Sequence, residues 1–157
     1  MSEDDWPDVR RIYAEGIATG IATFQTEVPE YDIWDRGHLT ACRLVAETDD
    51  RILGWVALGA YSSRPAYRGV AEISIYIASD ARGQGIGRAL LEQMTTESEA
   101  RGFWTLVAGI FAVNGASRSL HAKAGFREVG FREKVGELNG AWHDVVIMER
   151  RSKTVGA

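Results

Sequence analysis

The stretch Arg82-Gly83-Gln84-Gly85-Ile86-Gly87 lies between a run of β-forming residues and a long helical pattern. Alternating glycines permit positive φ angles and allow the backbone to approach a ligand closely. The free N–H groups at the start of a helix, together with the helix dipole, form a site for an anion. Since Arg82 and Arg88 add positive charge, the stretch predicts a cradle for a diphosphate.

A glycine loop between a strand and a helix has three other possible interpretations. A P-loop would end in Gly-Lys-Ser/Thr, which is absent. The Rossmann fingerprint G-x-G-x-x-G does not fit, because Arg88 stands where the last glycine would fall when counted from Gly83. A glycine-rich turn without any ligand stays open as the third interpretation, although the position between a strand and a helix argues against it.

Residues 70–77, before the loop, are predicted to form a strand. Alternation gives this strand two faces, with Glu72, Ser74 and Tyr76 on one and Ile73, Ile75 and Ile77 on the other. After the loop, helical periodicity continues to a stop at Gly102. The apolar run over residues 104–113 then predicts a strand buried on both faces.

The rest of the chain completes a mixed pattern. We expect a helix from about Pro7 to Ile17, a weaker helix over residues 31–41, a hairpin of residues 44–46 and 52–58, a short helix over residues 117–124, and a final hairpin of residues 127–137 and 142–149 joined at Asn139-Gly140. This order predicts a single α/β domain over residues 1–157, with a flexible tail from about residue 150.

Composition excludes several classes of protein. The chain has 157 residues, of which 45% are hydrophobic, and a net charge of −4, which argues against a general nucleic-acid binder. No apolar run approaches the ~20 residues that span a membrane. The acidic N-terminus does not resemble a signal peptide, so a cytoplasmic location is expected. Cys42 is the only cysteine, and we interpret it as a core residue.

Two motifs in the chain resemble the GCN5-related N-acetyltransferase (GNAT) superfamily. The hallmark Arg/Gln-x-x-Gly-x-Gly/Ala is matched by Arg82, Gly85 and Gly87. A second family element resembles the stretch from Asn114 to Gly125-Phe126. The resemblance implies a mixed, mostly antiparallel central sheet that is flanked by helices and splayed at its central strands. It also implies acetyl-CoA as cosubstrate and no metal.

A narrower resemblance is to the phosphinothricin and methionine sulfone/sulfoximine acetyltransferases, over about residues 6–150. The stretches that carry it are Thr19-Gly-Ile-Ala-Thr-Phe24, Arg64-Pro-Ala-Tyr67, the strand through Glu72 and Tyr76, His121, and Gly140-Ala-Trp142-His-Asp144. The chain departs from the family in two ways: no strand is predicted before the first helix, and Ser62 stands where some relatives carry a basic residue. The preferred acceptor therefore stays open.

For the coenzyme, the resemblance implies three groups of residues. They are the backbone at Ile75, Tyr76 and Ile77 for the pantetheine arm and the thioester carbonyl, the loop Arg82, Gly83, Gln84, Gly85, Ile86, Gly87 and Arg88 for the pyrophosphate, and Asn114 with Ser117 at the start of the short helix. A helix-capping role for Asn114 and Ser117 is compatible with a coenzyme contact.

For catalysis, Glu72 is the candidate general base, acting directly or through water. The alternative is a solvent-facing strand residue. His121 occupies the position where many superfamily members have a tyrosine that protonates the leaving thiolate. Its alternative is a surface histidine on a helix.

For the acceptor, Arg64 is the candidate clamp for a carboxylate, with Arg68 as competitor and a solvated loop residue as the alternative. The other predicted contacts with the acceptor are Phe24, Tyr67, Ser74 and Tyr76. The leading hypothesis is a homodimeric small-molecule N-acetyltransferase that acts on the α-amine of an amino-acid analogue. A protein or peptide acetyltransferase and a non-catalytic acetyl-CoA-binding module are the alternatives.

Overall fold

A computed structural model describes all 157 residues, in four α-helices and six strands. In chain order they are α1 (Trp6–Ala18), α2 (Tyr31–Gly37), β1 (Arg43–Glu47), β2 (Ile52–Ala60), β3 (Val70–Ile77), α3 (Ile86–Ala100), β4 (Thr105–Phe111), α4 (Gly115–Lys123), β5 (Arg127–Leu138) and β6 (Ala141–Arg151). The predicted order of elements is confirmed. The second helix is shorter than expected, because the backbone becomes extended at His38.

The six strands form one sheet in the order β1-β2-β3-β4-β6-β5. Only β3 and β4 run parallel, and every other neighbouring pair is antiparallel. This mixed, mostly antiparallel sheet with flanking helices confirms the predicted architecture. The first strand of the chain follows α2, so no strand precedes α1.

The sheet is open in its middle. Pairing between β3 and β4 ends at Glu72 and Val107, whereas β3 stays paired with β2 as far as Ile77. From Ile73 onward, the edge of β3 that faces β4 therefore has no strand partner. The expected splay at the central strands is confirmed, and it leaves backbone hydrogen-bonding groups open to a ligand.

Apolar side chains cover the two faces of the sheet separately. Leu90, Leu91 and Met94 of α3 pack on one face together with Cys42, which is 1% exposed. The interpretation of Cys42 as a core residue is confirmed. On the other face, the core consists mainly of α1, α2 and β2 residues, among them Val9, Ile12, Trp34 and Trp55.

The alternation predicted for β3 is confirmed by this packing. Ile73 and Ile75 join the core under α3. Tyr76 points to the opposite face, where its ring stacks on Trp55 with centroids 5.0 Å apart and lies 4.8 Å from the ring of Tyr13. Glu72 and Ser74 share the face of Tyr76 because side chains alternate along a strand.

The final hairpin has two features that shape the site. Asn139 and Gly140 both have positive φ, as the predicted two-residue turn requires. Between Arg132 and Gly136 the register with β6 shifts, and Lys134 adopts a φ of 44°. The backbone N–H of Lys134 donates to Oδ1 of Asp144 at 2.7 Å, which secures this bulge.

Beyond the hairpin, β6 continues through Arg151, and Ser152 is buried. The Arg151 guanidinium donates to the carbonyl oxygens of Trp104 and Val155. The flexible tail expected from about residue 150 stays a prediction.

Candidate functional site

A cavity of about 540 Å³ opens where β3 and β4 part. Its lining includes side chains from both faces of the sheet, because the gap passes between the two strands. Eight of the residues predicted from sequence line it: Phe24, Glu72, Ser74, Ile75, Tyr76, Asn114, Ser117 and His121. A drug-sized ligand commonly occupies a pocket of roughly 300 to 1,000 Å³.

The expectation that β4 is buried on both faces is wrong. Leu106, Ala108 and Ile110 are buried under α3. Val107 and Gly109 point the other way and line the cavity, and Gly109 is exposed. The apolar composition of β4 therefore reflects one core face and one cavity wall.

Glu72 is one of two charged side chains that line the cavity; Arg132 is the other. Glu72 is exposed and forms neither an ion pair nor a hydrogen bond within the chain. It lies at the last position at which β3 pairs with β4, where the gap begins. Its carboxylate is therefore accessible to a ligand in the cavity.

His121 is only 2% exposed, which makes the surface-histidine alternative wrong. Its Nδ1 lies 2.8 Å from the carbonyl oxygen of Ser117. A carbonyl oxygen can only accept, so Nδ1 must carry the hydrogen. Burial lowers the pKa of His121, although the hydrogen bond with Ser117 opposes this shift. The neutral ring then has its lone pair on Nε2, a buried atom with no partner within the chain.

Asn114 joins two parts of the site. Its Oδ1 accepts a hydrogen bond from the backbone N–H of Ser117 at 3.1 Å, which caps the N-terminus of α4. Its Nδ2 donates to the carbonyl oxygen of Ile21 at 3.3 Å. The second bond fixes the loop after α1, which brings Phe24 to the cavity.

The glycine loop precedes α3 and keeps its backbone open. Gly83 and Gly85 have φ of 75° and 82°, and a Cβ on either would meet no atom within 4 Å. Gly85 is the N-cap residue of α3, so unpaired N–H groups follow it. This free space in front of a helix start fits a diphosphate group.

Gly87 has a different structural effect. A Cβ there would lie 2.9 Å from Cδ2 of Leu120 and 3.6 Å from Cγ1 of Ile77. The missing side chain thus lets α3, α4 and the end of β3 pack closely.

The two arginines of the glycine loop differ in their partners. Arg88 pairs with Glu92 at 2.7 Å, whereas the exposed Arg82 has no partner within the chain.

Aromatic side chains form one wall of the cavity. The ring of Phe24 lies 4.4 Å from that of Phe111, which stacks on His143 at 4.8 Å. A Cβ on Gly136 would be 2.5 Å from the Phe24 ring, so only glycine leaves room for it. Tyr76 also lines the cavity, and burial raises the pKa of its hydroxyl, so it stays protonated.

Arg64 and Tyr67 lie outside this cavity lining. Both are exposed in the loop between β2 and β3, with the guanidinium of Arg64 5.6 Å from the centre of the Tyr67 ring. Arg68 packs on Trp104, also away from the cavity. Tyr67 approaches the cavity only through Tyr61, a lining residue whose ring centroid lies 5.6 Å from that of Tyr67.

Sequence reasoning missed the other 14 of the 22 lining residues, among them Tyr61, Phe111, Arg132 and Gly136. Phe111 was hidden in an apolar run, and Arg132 lies in a polar stretch that is typical of a solvated strand. The sheet order brings Phe111 and Arg132 together, because β6 and then β5 follow β4.

Among its Asp, Glu, His and Cys side chains, the chain contains no group of three that could hold a metal ion. None of its helices has the length and apolar character needed to cross a bilayer.

The model of the Acetyltransferase (GNAT) family matches residues 6–126. This chain belongs to the GNAT family. The matched range includes β3, the glycine loop and α4, the elements that surround the gap in the sheet. The GNAT resemblance inferred from the two sequence motifs is therefore confirmed.

Several known acetyltransferases are similar to this chain in sequence or in structure. A phosphinothricin N-acetyltransferase of Alcaligenes faecalis is 39% identical over 157 residues, covering 96% of this chain and 79% of the relative. A ribosomal-protein-alanine N-acetyltransferase of Brucella melitensis has a similar structure, with a TM-score of 0.88, 31% identity and 97% coverage of both chains. A GNAT phosphinothricin acetyltransferase of Sinorhizobium meliloti, solved with acetyl-CoA, has a TM-score of 0.85 and 29% identity, covering 99% of this chain and 92% of that one.

These findings establish the reaction at a coarse level. The chain is a GNAT N-acetyltransferase that uses acetyl-CoA. The open glycine loop before α3 is consistent with that cosubstrate, since coenzyme A carries a pyrophosphate.

Proposed function

We propose that this GNAT enzyme transfers an acetyl group to the α-amine of a small amino-acid-like acceptor, of the phosphinothricin, methionine sulfone or methionine sulfoximine type. The observation that carries the proposal is the free carboxylate of Glu72 in the cavity at the point where β3 and β4 part. A cavity of this size suits a small acceptor. The name of the Alcaligenes relative supports the acceptor class.

In the proposed reaction, Glu72 takes a proton from the ammonium form of the acceptor, directly or through water. The free amine nitrogen then attacks the thioester carbonyl carbon, so that a C–N bond forms and the C–S bond breaks. The amine nitrogen loses its second proton, and the leaving sulfur gains one. The products are the N-acetylated acceptor and coenzyme A, so atoms and charge balance.

His121 is proposed to carry the proton to the leaving sulfur. At rest its Nε2 bears a lone pair, because Nδ1 is the donor to Ser117. We therefore expect Nε2 first to accept the proton that the amine nitrogen loses and then to donate it to the sulfur. A buried histidine with a lowered pKa favours this return to the neutral form.

The proposed coenzyme contacts fall in two places. The unpaired edge of β3 at Ile75, Tyr76 and Ile77 would hold the pantetheine arm and polarise the carbonyl. The loop from Arg82 to Arg88, with Asn114 and Ser117 near the start of α4, would hold the pyrophosphate.

A protein or peptide amine is the second candidate acceptor. It is favoured by the likeness to a ribosomal-protein-alanine N-acetyltransferase. The cavity argues for the smaller acceptor, because bulky Phe24 and Phe111 form one of its walls. A non-catalytic acetyl-CoA-binding module stays as the third alternative. Roles for Arg64 and Tyr67 in acceptor binding, a homodimer and a cytoplasmic location also stay predictions.

The test is a thiol-release assay with acetyl-CoA and a panel of acceptors: phosphinothricin, methionine sulfone, methionine sulfoximine, a polyamine and an alanine-initiated peptide. We expect turnover with the amino-acid analogues and little with the others. Glu72→Gln should lower kcat by about 100-fold or more, since general base catalysis contributes that much. Glu47→Gln is the control, because Glu47 is exposed at the end of β1, lies outside the cavity lining and forms no ion pair.

Coenzyme binding separates the alternatives. The affinity for coenzyme A, measured by calorimetry, should be the same in Glu72→Gln and in the wild type. Preferred turnover of the peptide would favour the second candidate. Tight coenzyme binding without turnover on any amine would reject an enzyme altogether, and normal turnover of Glu72→Gln would reject Glu72 as the base.

A further inference from the structure

Arg132 is the single cationic side chain that lines the cavity, and no proposed role for the GNAT reaction uses it. It lies on β5 opposite Val145 of β6, which lines the same cavity. Its pairing partner therefore places Arg132 on the cavity face of the sheet. The bulge that follows it turns Val135 and Gly136 to the cavity as well.

The guanidinium of Arg132 is free within the chain. It forms no ion pair and no hydrogen bond with protein groups, whereas Arg118, Arg127 and Arg150, which flank it in sequence, each bind a carboxylate at 2.6 to 2.9 Å. An arginine offers five N–H donors in a planar fork that matches an oxyanion. The exposed side chain of Arg132 lines the cavity, and its donors are free to bind a ligand.

Arg132 and Glu72 lie at different levels along the strands of the sheet. Glu72 pairs with Val107 of β4, whereas Val145, the partner of Arg132, pairs with Phe111 of β4. Four residues along a strand correspond to about 13 Å, and Arg132 is a further two strands from β4, about 10 Å. Side chains shorten this separation, but the strand register places the two residues well apart along the cavity.

We propose that Arg132 binds an oxyanion at the far end of the acceptor's side chain and so selects acceptors that carry one. This inference rests on the proposed function, which places the reacting amine near Glu72. In an α-amino acid a single carbon separates the amine from the carboxylate, too short a distance to span the cavity. A negatively charged group at the end of the side chain, such as the phosphinate of phosphinothricin, matches the two-ended arrangement better. A charged oxyanion binds arginine more strongly than a neutral oxygen does.

The experiment compares two acceptors that share the α-amine and the α-carboxylate. Phosphinothricin ends in a charged phosphinate, and methionine sulfone ends in a neutral sulfone. For Arg132→Gln we expect KM for phosphinothricin to rise about 10-fold or more and KM for methionine sulfone to rise less than about threefold. The value of kcat should change little for either, since Arg132 lies away from Glu72. Arg127→Gln is the matched control, because it removes an arginine from the same strand outside the cavity lining.

The possible results distinguish a failure of this inference about Arg132 from a failure of the proposed function. An equal rise in KM for both acceptors would assign Arg132 to the shared α-carboxylate and overturn the inference, as would no change for either. If the wild type acetylates neither acceptor, the proposed function has failed. Calorimetric binding of phosphinothricin to the complex with coenzyme A then tests Arg132 alone. Weaker binding in Arg132→Gln supports the inference, and equal binding, or none in the wild type, overturns it.

Discussion

The Nδ1 atom of His121 donates a hydrogen bond to the carbonyl oxygen of Ser117, one turn earlier on α4, at 2.8 Å. This single bond fixes the tautomer of a buried ring and leaves the Nε2 lone pair without a partner within the chain. A histidine in this state begins as a proton acceptor. It can act as an acid only after it has taken a proton.

We expect His121→Asn to lower kcat by about 100-fold or more. The amide Nδ2 of asparagine can replace Nδ1 as donor to Ser117, so the helix keeps its hydrogen bond while the base at Nε2 is lost. The measurement is steady-state turnover with the best acceptor, together with the affinity for coenzyme A, which should not change. Wild-type kcat in His121→Asn would exclude a proton-transfer role for this residue.

Stability should fall in mild acid. Burial lowers the pKa values of His38 and His121 below the 6.5 of an unfolded histidine. Below about pH 6.5 the unfolded chain therefore binds more protons than the folded one, and the free energy of unfolding decreases. The stabilisation is complete above pH 6.5 and is lost as the pH falls through the folded values. Urea unfolding at pH 8 and at pH 5 measures the difference, which should be smaller in His121→Asn. A free energy of unfolding that is as high at pH 5 as at pH 8 would contradict the assignment.

Gly85→Ala should weaken coenzyme binding. Gly85 has a φ of 82°, so an alanine there is strained by about 1 to 2 kcal/mol, and its Cβ would enter the space in front of α3. Gly102→Ala is a matched control, because Gly102 follows the other end of α3 with a φ of 85° and equally free surroundings. Both variants should lose similar thermal stability, but only Gly85→Ala should lose affinity for coenzyme A in calorimetry. Equal affinities for coenzyme A in the two variants would show that the glycine loop does not bind the coenzyme.

Gly136→Ala should disturb the aromatic wall. The added Cβ would lie 2.5 Å from the Phe24 ring, so the ring must move away from Phe111. We expect the KM of the acceptor to rise about 5- to 10-fold, by analogy with the loss of a packed aromatic contact worth about 0.5 to 1.5 kcal/mol. Gly37→Ala is the control, since a Cβ there meets no atom within 4 Å. The same KM in both variants would show that the acceptor does not use this wall.

Much of the fold could be predicted because its signals are local. Alternation assigned the two faces of β3, and Asn139-Gly140 marked the last hairpin through backbone angles that few residues adopt. The gap between β3 and β4 carries no such signal in either strand. It was expected only from the family resemblance, since it depends on where two distant strands stop pairing.

The site was predictable where a residue belongs to a motif. Glu72, Asn114 and His121 were predicted mainly from the family resemblance, and all three line the cavity. Arg132 was missed because its neighbours Glu133 and Lys134 are also charged, so the sequence gives no reason to separate it from a solvated edge. Only the position of β5 beyond β6 turns this arginine to the cavity.

The parting of β3 and β4 has a kinetic consequence. The sheet separates two sides of the molecule. The start of α3 lies on one face of the sheet, and Phe24 and Arg132 lie on the other. The two substrates can enter from opposite sides and be present together, so neither product needs to leave before the second substrate arrives. Cys42, the single thiol of the chain, is sealed in the core and is not available to hold the acetyl group. We therefore expect a ternary complex, seen as intersecting lines in double-reciprocal plots of initial rate.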